Sequence, residues 1–128
     1  MTTPSPLVLV VNDDGPSLFL LAQYLRAGGY RVVEAQTGAD ALELAARESP
    51  DLVVLDVLLP DVVGYEVARR LRAAPATARI GVVYVSASYD VAEVRSNDGT
   101  GDAYMAPPID REELLTTVRL VLRTRGTR

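Results

Sequence analysis

Leu7-Val8-Leu9-Val10-Val11-Asn12-Asp13-Asp14 is the stretch on which the fold turns. Five apolar residues in a row, most of them β-branched, run straight into an amide and two carboxylic acids. A solid apolar run of this length fits a strand covered on both faces, as in a parallel sheet flanked by helices. The acids then mark the carboxyl end of that strand.

Outward from this stretch the pattern alternates. Leu18, Leu21, Ala22 and Leu25 fall on one helix face, and Gly28-Gly29 stops that helix. Tyr30 to Ala35 predicts a second strand. Ala41, Leu42 and Ala45 line a second helix that ends before Pro50. Leu52 to Leu55 predicts a third buried strand, Tyr65 to Ala74 a helix facing inward through Val67, Ala68 and Leu71, and Ile80 to Val85 a fourth strand. Asp90 to Asn97 is a helix candidate, and Ser96 to Gly101 is poor in helix formers, which predicts a short or mobile fourth helix. Ala103 to Met105 is a short fifth strand. Asp110 can cap a last helix, with Glu113 at the capping-box position and Leu114, Leu115, Val118 and Val121 inside.

Five strand–helix repeats with apolar strands predict an α/β fold: a doubly wound, flavodoxin-like (βα)5 three-layer sandwich with a parallel sheet of order 2-1-3-4-5. In such sheets the ligand site lies beyond the strand carboxyl ends, between strands 1 and 3. Residues 7–124 form the expected domain, residues 1–6 a flexible arm, and residues 125–128 a tail or the start of a linker.

Composition narrows the chemistry. With 128 residues there is room for one domain, and the net charge of -4 carries no basic nucleic-acid footprint. There is no Cys, which excludes disulfides and thiolate metal sites. There is no His, so neither an imidazole base nor a phosphohistidine can come from this chain. Every basic residue is Arg. No apolar run reaches the roughly 18–20 residues of a membrane span, and the start has no secretion signal, so a cytoplasmic location is expected.

The predicted topology brings Asn12-Asp13-Asp14, Asp56 and Ser86 to neighbouring strand ends. Clustered carboxylates repel, and a hard divalent cation with oxygen ligands relieves this; Mg²⁺ suits one or two carboxylates plus phosphate oxygens. It would leave one carboxylate as a nucleophile. Against this stands the commoner use of a post-strand Asp as a helix cap, evenly weighted for Asp14. Asp56, in Asp56-Val57-Leu58-Leu59-Pro60-Asp61, has no obvious helix to cap.

Leu7 to Asp14 resembles the opening strand and acidic cluster of two-component response-regulator receivers. Asp51-Leu52-Val53-Val54-Leu55-Asp56-Val57-Leu58-Leu59-Pro60-Asp61, then Gly64, resembles their phosphorylation strand and loop. Val83 to Ala87 resembles the strand bearing the switch hydroxyl, and Asp102 to Met105 with Pro108-Ile109-Asp110 resembles the last strand and its exit. The resemblance implies Asp56 as phospho-acceptor, Ser86 as switch hydroxyl and Tyr104 as switch aromatic. It implies Mg²⁺ held by Asp13, Asp56 and the Leu58 carbonyl, with Asn12 or Asp14 acting through water. Implied partners are a histidine kinase or phosphotransfer protein, including kinase domains on the same chain; nucleic acid and membrane are not expected. A homodimer through the face of the fourth helix, fifth strand and fifth helix is an option.

Two departures stand out. Asn12 replaces one of the usual two acids, which should weaken Mg²⁺ binding. Pro107 stands where the family carries a Lys that bonds the phosphoryl group. Proline offers neither charge nor N–H, and the Pro107–Pro108 bond is a candidate cis peptide. These departures support an alternative: a pseudo-receiver that binds partners without phosphorylation. Self-phosphorylation from a donor and slow dephosphorylation are the most enzyme-like activity expected. An Asp-nucleophile phosphohydrolase is disfavoured because Leu58 stands where its second acid would be, and a nucleotide binder because no Gly-rich phosphate loop is present.

Overall fold

The computed structural model describes residues 4–86 and 101–126. Strands β1 (Leu7–Val11), β2 (Arg31–Ala35), β3 (Leu52–Leu55), β4 (Gly81–Val85) and β5 (Ala103–Met105) form one sheet of order β2-β1-β3-β4-β5. Every pairing is parallel. Helices α1 (Gly15–Ala27), α2 (Gly38–Glu48), α3 (Gly64–Ala73) and α4 (Arg111–Val121) cover it. This is the expected flavodoxin-like architecture. The helix candidate at 90–97 lies outside the described residues.

The apolar strands behave as two-sided walls. Leu9, Val11, Val53, Leu55, Val82 and Tyr84 face one core, shared with Ala41 and Ala45 of α2 and Val67, Ala68 and Leu71 of α3. Val8, Val10, Leu52, Val54, Val83 and Val85 face the other, shared with Leu18, Leu21 and Leu25 of α1 and Leu114, Val118 and Val121 of α4. Each fully buried Leu or Val contributes about 1.5–3 kcal/mol relative to exposure, so the three central strands carry much of the stability. Strand β2, at the edge, is only partly covered.

Helix ends follow their local chemistry. Gly28 caps α1 and Gly29 takes φ 94, a region open to glycine. Ser49 ends α2 in the left-handed conformation one residue before Pro50. Asp110 caps α4 by accepting from the Glu113 amide at 3.0 Å. Beyond α4 the chain continues through a wider π-helical turn, Leu122–Gly126.

A half-buried ion cluster ties the far side together. One Asp102 oxygen accepts from the Val82 amide at 2.8 Å and pairs with Arg72 of α3 at 3.1 Å. The other pairs with Arg125 at 2.9 Å.

Candidate functional site

The carboxyl ends of β1, β3 and β4 open into one cleft of about 600 Å³. Asn12, Asp13, Asp14, Asp56, Leu58, Ser86 and Pro107 line it, joined by Leu20, Leu21 and Tyr24 of α1 and by Pro108 and Ile109. Six of the seven expected side-chain positions therefore meet: Asn12, Asp13, Asp14, Asp56, Ser86 and Pro107. Tyr104 does not line the cleft. Its ring stacks on Tyr84 with centroids 5.4 Å apart and 18° between planes, and its hydroxyl donates to the Gly101 carbonyl at 3.3 Å.

Asp56 follows directly on β3 and is half-buried. Its carboxylate accepts from the Leu58 amide at 3.3 Å and from the Ser86 hydroxyl. Burial raises its pKa above the ordinary carboxylate value, and the negative charge of Asp13 adds to the rise. Ser86 is buried, and its amide continues the β4–β5 ladder to the Met105 carbonyl at 3.1 Å.

Asp14 is occupied elsewhere. It is the N-cap of α1, accepting from the Ser17 amide at 3.0 Å and from the Ser17 hydroxyl. Those bonds lower its pKa. The Asn12 amide oxygen accepts from the Asp14 N–H at 2.9 Å, which fixes the turn leaving β1. The oxygens left for a cation are those of Asp13 and Asp56, the Leu58 carbonyl, and the remaining lone pair of Asn12. Among the described residues no group of three or more acids or His forms a metal cluster. A donor set of two carboxylates and a carbonyl fits Mg²⁺, which keeps several waters and takes one or two carboxylates from the protein.

The loop after Asp56 is closed by an isolated antiparallel bridge between Leu58 and Val63, which includes the bond from the Gly64 amide to the Val57 carbonyl at 2.6 Å. Gly64 allows this: a Cβ there would lie 2.3 Å from the Asp56 carbonyl oxygen. On the opposite wall the Pro107–Pro108 bond is cis, as the sequence suggested. Among the described lining residues none is basic.

The family profile for the response regulator receiver domain matches residues 8–119. The chain belongs to the response regulator receiver family. It is 36% identical over 119 residues to the DNA-binding dual master transcriptional regulator RpaA of Synechocystis, covering 92% of this chain and 49% of that protein. It is 30% identical to Protein PilH of Pseudomonas aeruginosa, covering 90% of this chain and 96% of that one. The receiver thus spans about half of one relative and nearly all of another. Among solved structures, the receiver domain of the sensor histidine kinase PA1611 from P. aeruginosa, described with magnesium in its active-site cleft, superposes with a TM-score of 0.81 at 27% identity, over 96% of this chain and 99% of that one. No described helix of this receiver is long and apolar enough to cross a membrane.

The raised pKa of Asp56 has a measurable consequence. A carboxyl group whose folded pKa is raised favours the folded state below its unfolded value, and that advantage is lost as pH rises through the folded value. At pH 7 without divalent cations, Asp56→Asn is therefore expected to melt above wild type. The gap should close on acidification below about pH 4, where the unfolded carboxyl is also protonated. Thermal melts of both proteins in EDTA at the two pH values check this.

Proposed function

We propose that Asp56 accepts a phosphoryl group from the phosphohistidine of a histidine kinase or phosphotransfer protein in the cytoplasm. The supporting observation is the meeting of Asp13, Asp56 and Ser86 in one cleft. An Asp56 oxygen attacks phosphorus, the P–N bond breaks, and its electron pair stays with the imidazole. The product is an aspartyl phosphate. Asp13, Asp56 and the Leu58 carbonyl would hold Mg²⁺, which when bound offsets the negative charge of carboxylates and phosphoryl oxygens. The Ser86 hydroxyl, already on the Asp56 carboxylate, is placed to bond the phosphoryl oxygens instead. Tyr104 reports that change through its stacking on Tyr84.

The apolar floor of the cleft, Leu20, Leu21, Tyr24 and Ile109, extends beside the acids and suits an apolar face of the donor protein. A second reading, phosphorylation-independent partner binding, draws support from the lack of a basic side chain among the described lining residues.

Intact-mass spectrometry after incubation with acetyl phosphate or phosphoramidate and Mg²⁺ decides between them. The expected result is one added phosphoryl mass on wild type and none on Asp56→Asn. Folded wild type without an adduct from either donor would overturn the proposal in favour of the binding module.

A further inference from the structure

Helix α2 begins with two caps from different parts of the chain. Its own Thr37 accepts from the Asp40 amide at 3.1 Å. The Gly38 and Ala39 amides, which would otherwise lack partners, donate to Asp61: Gly38 to Oδ1 at 2.8 Å, Ala39 to Oδ2 at 2.9 Å. Asp61 lies more than twenty residues later, at the tip of the loop that follows Asp56. These two amides hold its carboxyl below the ordinary carboxylate pKa.

The fit around this clasp is close. A Cβ on Gly38 would lie 2.2 Å from Val62 Cγ1, so the loop seats flush on the helix start only because residue 38 is glycine. The legs of the loop meet in the Leu58–Val63 bridge. That bridge, which closes the base, includes the Gly64 amide on the Val57 carbonyl. Asp61 anchors the tip. Fastened at base and tip, residues 57–63 are held as one unit that carries Leu58, whose amide bonds Asp56 and whose carbonyl is among the proposed cation ligands.

We infer that Asp61 is a positioning residue for the cation site: its bidentate grip on α2 fixes the loop and so fixes the Leu58 carbonyl. The inference rests on the receiver reading of the cleft. Residues that orient metal ligands from behind typically cost about 10–100-fold in metal affinity when removed. Asp61 would act in that way without touching the ion.

Thr37 supplies the control, because it caps the same helix through the Asp40 amide, a bond that does not involve the loop. Mg²⁺ affinity would be measured by calorimetric titration, beside thermal melts, on wild type, Asp61→Ala, Asp61→Asn and Thr37→Ala. Asp61→Ala should weaken Mg²⁺ binding about tenfold or more. Asp61→Asn keeps one acceptor oxygen and should fall between. Thr37→Ala should lower the melting temperature and leave Mg²⁺ affinity unchanged. Wild-type affinity in Asp61→Ala, or equal losses in Asp61→Ala and Thr37→Ala, overturns the inference while leaving the cation site standing. Wild type that takes no Mg²⁺ overturns the cation site itself, and the inference with it.

Discussion

Pro107→Lys is expected to speed phosphorylation of Asp56 from a small donor by roughly tenfold to a hundredfold. Pro107 lines the same cleft as Asp13, Asp56 and Ser86, and among the described lining residues no other group brings positive charge. An ammonium there would form a charge-assisted hydrogen bond with the incoming phosphoryl oxygens, worth about 1.5–3 kcal/mol. Each 1.4 kcal/mol realised in the transition state is a factor of about ten in rate. The position is exposed, so the longer side chain meets no core. The new charge should also draw the Asp56 pKa down toward its ordinary value, opposing the effect of burial and of Asp13. The check is the rate at which phosphorylated mass accumulates, variant against wild type, at fixed donor and Mg²⁺. An unchanged rate would mean that this cleft does not use a cation from the β5 side.

Tyr84→Ala should be the most damaging single truncation of the core. Tyr84 is fully buried near the carboxyl end of β4. Tyr65 meets it edge-on at 5.2 Å and Tyr104 stacks on it at 5.4 Å. Truncating a buried aromatic costs about 3–5 kcal/mol, a large share of the roughly 5–15 kcal/mol that holds a domain folded. Gly101 sharpens the effect: a Cβ there would lie 2.6 Å from the Tyr84 ring, so the backbone is seated against the ring itself. Chemical denaturation of wild type and variant measures the loss. Since Tyr104 loses its stacking partner, the variant should also show altered Tyr104 fluorescence or NMR signals on phosphorylation.

The strands and helices could be read from the sequence because each inner strand is an apolar run and each helix carries one apolar face, while their order 2-1-3-4-5 rested on its being the common arrangement of five such units. Those signals are local. The acids at the ends of β1 and β3 were equally readable, since topology alone brings Asp13 and Asp56 together. Asp14 was ambiguous for a physical reason: one carboxylate after a strand serves a helix cap and a cation equally well, and only the Ser17 contacts show which use it has. Asp61 gave no local sign of its role, because the amides it binds belong to a helix more than twenty residues earlier. The Tyr65–Tyr84–Tyr104 cluster and the Asp102 cluster with Arg72 and Arg125 give no local sign either, each being assembled by three separate elements.

Among the described residues the sheet ends in β2 and β5, and the two strands differ. Strand β5 is only three residues long, too short to template a foreign strand. Strand β2 is longer, but it places the exposed Arg31 and Glu34 along its length, the latter paired with Arg26 at 3.3 Å. Another chain adding to that side would have to strip water from these charges, a common natural defence against edge-to-edge aggregation. The charges on β2 therefore work against pairing of this apolar sheet with a second chain. Neutralising Arg31 and Glu34 together would remove that protection while leaving both cores untouched.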